Sequence, residues 1–240
     1  MSIVYAIIVF GILIFIHELG HFLTAKAFGV KINEFSLGMG PKLLSKTRGD
    51  TAYSLRLLPI GGFVSMEGED EPSGDPTAFN NKPVWQRIII VCAGAAMNLI
   101  LGFLIMLIIV ASSKAVASTT VAEFRKGSTS DQTGLQAGDQ ILKMDQDKVH
   151  IYMDVVFALT LSDGEPMDIL VKRDGEKVLL KDVQFPTSEV EGITTSNLDF
   201  YFTAADKNVG TVLYNAFYES TAMVKMVWKS FVGLVTGHYG

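Results

Sequence analysis

Residues 3–28 form a nearly unbroken apolar run, and inside it stand His17, Glu18, Leu19, Gly20 and His21. No other feature restricts the fold as much. A run of this length spans a bilayer as a helix. On a helix, positions i and i+4 share a face, so the two imidazoles can grip one metal ion while the intervening acid reaches the water that such an ion activates. The donor set and spacing are those of hydrolytic zinc sites, which makes His17 and His21 the expected metal ligands and Glu18 the expected catalytic residue.

The position of these polar groups carries as much weight as their spacing. A charged side chain at bilayer depth costs about 2.5 to 3.5 kcal/mol on insertion scales, so such groups persist where a partner or a wet cavity receives them. A bland alternative has the histidines packing between helices and Glu18 as a chance insertion. Among the 240 residues, 49% are hydrophobic, which places the chain in the membrane class. A net charge of -5 with no basic face argues against nucleic acid as a partner. Cys92 is the single cysteine, so neither an internal disulfide nor a cysteine-based zinc cluster is available.

The first run lacks the basic start, the short length and the cleavage site of a signal peptide. It reads as a retained transmembrane helix within residues 1–30, and residues 88–112 read as a second one, with Trp85 and Arg87 at its entrance. Lys26, Lys31, Lys42, Lys46, Arg48, Arg56, Lys82 and Arg87 lie between the two runs, whereas no Lys or Arg precedes the first. The connecting region is therefore expected in the cytoplasm, with the N-terminus and the residues after about 112 outside it. His17 then sits roughly 21 Å along its helix at 1.5 Å per residue, past the midplane on the cytoplasmic side.

Residues 31–66 read as a membrane-associated β element. Tyr53, Leu55 and Leu57 alternate with Ser54 and Arg56, and glycines and prolines punctuate 38–41 and 59–62. Non-helical backbone at that depth must be buried or line a cavity, and an open strand edge there could receive an unwound substrate by strand addition. A plain cytoplasmic hairpin is the alternative. Residues 67–87 read as an acidic, turn-rich linker without the spacing of a calcium loop.

Residues 115–186 change character. Gly134-Leu135-Gln136-Ala137-Gly138-Asp139-Gln140-Ile141 resembles the GL-x-x-GD-x-I signature of PDZ domains, with an apolar-periodic helix near 153–161 and a hairpin at 173–176. Such an α+β domain would bind a peptide ligand by edge addition. Residues 187–210 read as a linker. In 211–237, Leu213, Phe217, Ser220, Val224, Val227, Phe231 and Leu234 recur at helical spacing opposite Asn215, Glu219, Lys225 and Lys229. This is the pattern of an amphipathic interfacial helix on the lipid bilayer, with a third span as the alternative.

Together these features resemble the site-2 protease family of intramembrane zinc metalloproteases, in particular the bacterial regulator-of-sigma-E protease branch with a single PDZ domain. The resemblance covers essentially the whole chain, through the 17–21 motif, the 38–41 and 59–64 stretches, the 94–98 segment and the PDZ module. It implies a membrane protein with an α-helical transmembrane core, a membrane-associated β-hairpin element and an α+β PDZ domain. It also implies a metalloendopeptidase in the bacterial inner membrane, multi-pass, with Zn2+ on His17 and His21 and with Glu18 activating water. Asn98 matches the family's second-helix asparagine, with Ala95 where proline is usual; Asn98, Gly61, Gly62 and Phe63 become the expected substrate-binding residues. Implied substrates are single-span membrane proteins of the anti-sigma factor type, or signal-peptide remnants. The family's third zinc ligand, an aspartate in a Leu-Asp-Gly motif, has no counterpart here. The chain is therefore expected to be a C-terminally truncated, under-coordinated version of the enzyme. A membrane-anchored PDZ peptide-binding protein without hydrolytic activity remains the rival, and a metal transporter is disfavoured because residues 88–112 offer few polar groups beyond Asn98.

Overall fold

The computed structural model describes residues 2–190 and 193–236, which divide into two units, residues 1–102 and 103–240. The first holds helix α1 (Ser2–Ala27), strands β1 (Ile32–Arg48) and β2 (Thr51–Met66), a short 3-10 turn (Phe79–Asn81) and most of helix α2 (Val84–Ser112). α1 and α2 are long and apolar enough to cross a membrane, with mean hydropathies of 2.3 and 2.6. α1 ends where Gly29 adopts a φ of +65°, and the Val30 and Gly29 amides donate to the carbonyls of Ala25 and Lys26. That is a left-handed helix stop of the kind only glycine adopts cheaply. α2 begins at Val84, four residues before the start expected from the sequence, because the apolar count misses the first turn that Pro83 opens.

β1 and β2 are long and sharply bent. Phe35, Ser36 and Leu37 pair on one side with Val64, Phe63 and Gly62 and on the other with Tyr53, Ser54 and Leu55. Residues 42–48 pair with 51–56, so two strands make a narrow sheet whose 62–66 segment is an edge. The bend needs positive φ at Gly38 (+84°) and Gly40 (+85°), and a side chain at Gly38 would drive into the Leu58 carbonyl at 2.4 Å. Phe22 of α1 packs on Phe35 and Tyr53 at centroid distances of 4.9 and 6.0 Å, fastening the sheet to the helix.

The second unit contains β3 (Val116–Phe124), β4 (Gln140–Met144), β5 (Asp147–Lys148), α3 (Tyr152–Thr160), β6 (Met167–Arg173), β7 (Glu176–Val183), β8 (Thr187–Val190), β9 (Ile193–Ser196), β10 (Phe200–Ala205) and α4 (Val209–Thr236). Its sheet has the order β10-β3-β4-β6-β7, with β5 beside β4, around a core that includes Val121, Leu135, Ile141, Val155, Ile169, Val171 and Phe200. Asp139 is buried and accepts two hydrogen bonds from Arg173, Nε to Oδ1 and Nη2 to Oδ2, each 2.7 Å, plus one from the Gln136 amide at 2.8 Å. That network pulls the Arg173 guanidinium further above its already high pKa, chiefly through the hydrogen bond to Asp139.

Residues 187–210, expected as a linker, instead carry the β8–β9 hairpin and β10, which pairs antiparallel with β3. Phe200 alternates inward there and is fully buried, a pattern too short to register in the sequence. Residues 191–192 of that stretch, and Gly237 at the end of the expected interfacial helix, lie outside the described residues.

Candidate metal centre

α1 and α2 approach closely because Gly20 has no side chain: a carbon there would lie 2.4 Å from the Ala93 carbonyl oxygen. This contact sets His17 and His21 against α2. Their rings stand edge to face with centroids 4.8 Å apart. His21 Nδ1 meets the Ile90 carbonyl at 2.7 Å. A carbonyl only accepts, so Nδ1 carries the hydrogen and Nε2 keeps its lone pair.

Both Nε2 atoms border one small space. A side-chain carbon at Gly94 would fall 2.6 Å from His17 Nε2 and 2.5 Å from His21 Nε2, so glycine is what keeps that space open. Asn98, one turn further along α2, lies with its amide 3.4 Å from His17 Nδ1, while its Oδ1 is buried without a partner. Turning that amide over would give Oδ1 the Nδ1 hydrogen of His17 and place both imidazoles in the same tautomer. With Asn98 so turned, two imidazole lone pairs converge, each ring anchored from behind, and the pair fits a zinc ion. Among the described residues no third His, Cys, Asp or Glu joins them in a metal-holding group.

Glu18 points to a different neighbour. Its Cγ lies 3.4 Å from where a side chain on Gly62 would begin, and the Val64 backbone lies near its carboxylate. The edge segment of β2 therefore runs beside the acid. Of the residues expected to bind substrate, Asn98 and Gly62 stand next to His17 and Glu18 respectively. Gly61 does not: it sits at φ +88° against Met39. Phe63 alternates to the opposite face, where the Arg56 guanidinium lies 4.9 Å from its ring centroid.

The model of peptidase family M50 matches residues 5–239. The chain belongs to peptidase family M50. This M50 chain is 41% identical over 241 residues to a zinc metalloprotease of Clostridium acetobutylicum, an alignment covering 98% of the chain and 69% of the relative. It is 44% identical to a zinc metalloprotease of Clostridium perfringens, across 77% of the chain and 54% of the relative. Metalloprotease MmpA of Caulobacter vibrioides is 32% identical, across 72% of the chain and 49% of that protein. Against the last two the chain spans about half of their length. The family is membrane-associated and its zinc metalloproteases support zinc as the cofactor, in keeping with two helices apolar enough to cross a membrane.

Sequence reasoning missed two contributors to this M50 site. The Ile90 carbonyl, as backbone, leaves no trace in residue identity. Gly94 was legible: it precedes Asn98 by one helical turn, the spacing that puts both against one neighbouring helix.

Proposed function

We propose that this M50 protein is a zinc-dependent intramembrane endopeptidase that cuts single-span membrane proteins within or beside the bilayer. The observation that carries this is the convergence of the His17 and His21 Nε2 atoms on the space above Gly94, with Glu18 held next to a strand edge. His17 and His21 would hold the ion, which when bound supplies Lewis acidity to the scissile carbonyl and to water. Glu18 is the general base that takes the proton from water and returns it to the leaving amine. The 62–66 edge receives the substrate backbone as an added strand, which unwinds a helix whose peptide bonds are otherwise shielded. Asn98 orients His17 and offers its amide to the substrate.

The finer assignment follows the regulator-of-sigma-E branch in the bacterial inner membrane, with anti-sigma factors or signal-peptide remnants as substrates. The sheet of the second unit with α3 is a PDZ domain that binds a peptide outside the cytoplasm, an orientation supported by the basic residues between α1 and α2. α4 lies on the bilayer surface: Leu213, Phe217, Val224, Val227, Phe231 and Leu234 are exposed along one stripe, while Ala216 and Ala222 are buried.

In lipid nanodiscs with zinc and a single-span reporter, Glu18→Gln is expected to keep metal binding and abolish cleavage. Turnover retained by that variant sinks the proposal. A second reading, a membrane-anchored PDZ peptide-binding protein without hydrolytic activity, draws on the Gly134–Asp139 signature that leads into β4. It predicts peptide binding with no zinc in the purified protein.

A further inference from the structure

Arg56 stands among exposed Leu37, Leu55, Leu57, Leu58 and Ile60, a position where a cation needs a purpose. All three of its guanidinium nitrogens donate hydrogen bonds. Nε donates to Ser36 Oγ at 2.8 Å, Nη1 to the Gly40 carbonyl at 2.9 Å and Nη2 to Glu34 Oε1 at 2.8 Å, and the plane lies over Phe63. Lys42 donates to the other Glu34 oxygen at 2.8 Å. Burial pulls the Glu34 pKa upward, but the hydrogen bonds from Lys42 and Arg56 outweigh it and hold the carboxyl at about 2. One side chain thus links the 34–36 strand, the bend at Gly40 and the β2 edge.

We infer that Arg56 is a positioning residue of the peptidase site: through Phe63 it fixes the strand edge that lies against Glu18 and receives the substrate. The inference rests on the reading of that edge given above. Phe63 sits between Gly62, which faces Glu18 Cγ at 3.4 Å, and Val64, whose backbone lies near the Glu18 carboxylate. The edge segment pairs with β1 on one side only, so backbone pairing alone leaves it free to lift. Around it are apolar side chains, where a charge-assisted, forked contact competes with little water. A lysine cannot replace that planar fork, although it keeps the charge.

The test compares the wild type with Arg56→Met and Arg56→Lys in nanodiscs. Amide exchange and reporter cleavage are the readouts. In Arg56→Met, exchange at 61–65 should rise about tenfold while that of α1 and of 42–56 stays within about twofold. KM should rise at least about threefold with kcat nearly unchanged, since a loosened edge weakens capture more than chemistry. Arg56→Lys should fall between. Unchanged exchange at 61–65, or an equal rise throughout 32–56, overturns the inference, the latter because Arg56 would then merely hold the hairpin together. If the wild type itself cuts no reporter, the peptidase reading fails, and the exchange pattern still decides whether Arg56 fixes the edge.

Discussion

The two units apply the same hydropathy rule in opposite directions. In residues 103–240 the apolar side chains of β4, α3 and β6 are turned inward, with Ile141, Val155, Ile169 and Val171 fully buried. In residues 1–102 the apolar side chains of α1, α2 and the hairpin are turned outward: Ile8, Phe10, Leu57, Ile88 and Val91 are more than half exposed, while His17, Glu18, His21 and Asn98 face neighbouring elements. The first unit packs for lipid, where burying carbon gains nothing and closeness comes from small residues such as Gly20 and Gly94. The sheet and α3 of the second pack for water. Substitutions should therefore change chemistry in the first unit and stability in the second.

The largest effect expected on that contrast is Glu18→Gln, which removes the base and should lower cleavage by about a thousandfold with thermal stability unchanged. A comparable fall in stability would break the comparison, because it would make Glu18 a packing residue. Next comes Asp139→Asn. It leaves the Arg173 guanidinium without its carboxylate inside the second unit and should cost about 3 kcal/mol in denaturant unfolding of that unit. Zinc content of the protein should not move.

Gly94→Ala sharpens the contrast within the membrane helices. The added methyl enters the space bordered by both Nε2 atoms, so zinc affinity should fall about tenfold to a hundredfold with helix content intact. A change in affinity below twofold would show that the imidazoles converge elsewhere.

How much of this was legible in the sequence follows the same division. The metal-type motif, the two apolar helices and the stripe of α4 were readable because helical periodicity survives in residue order. The Asp139 signature was readable because its carboxylate accepts from the Gln136 amide three residues before it. Its Arg173 partner was not, since the contact is 34 residues away. Likewise β10 was missed, because its pairing with β3 is set by long-range register, and the double use of β1 between 51–56 and 62–66 has no sequence signature at all.

The smallest effect tests the boundary between the two packing regimes on α4, whose one face is apolar and exposed while Glu219 lies partly buried. Burial raises the Glu219 pKa above its ordinary 4.5, and no compensating cation contributes to the shift. Because ionisation is costlier in the folded state, the group's contribution to stability is full below about pH 4.5 and is lost as pH rises through the raised folded value. Glu219→Gln should therefore unfold at a slightly higher temperature than wild type at pH 8 and at the same temperature at pH 4. The Tyr152 phenol, pushed up mainly by burial and secondarily by the Glu219 charge, should titrate slightly lower in the variant but still above 10. If the pH dependence is instead reversed, with the gain at acid pH, Glu219 has a buried cationic partner and the helix is held to its domain by charge rather than by the small buried residues Ala216 and Ala222.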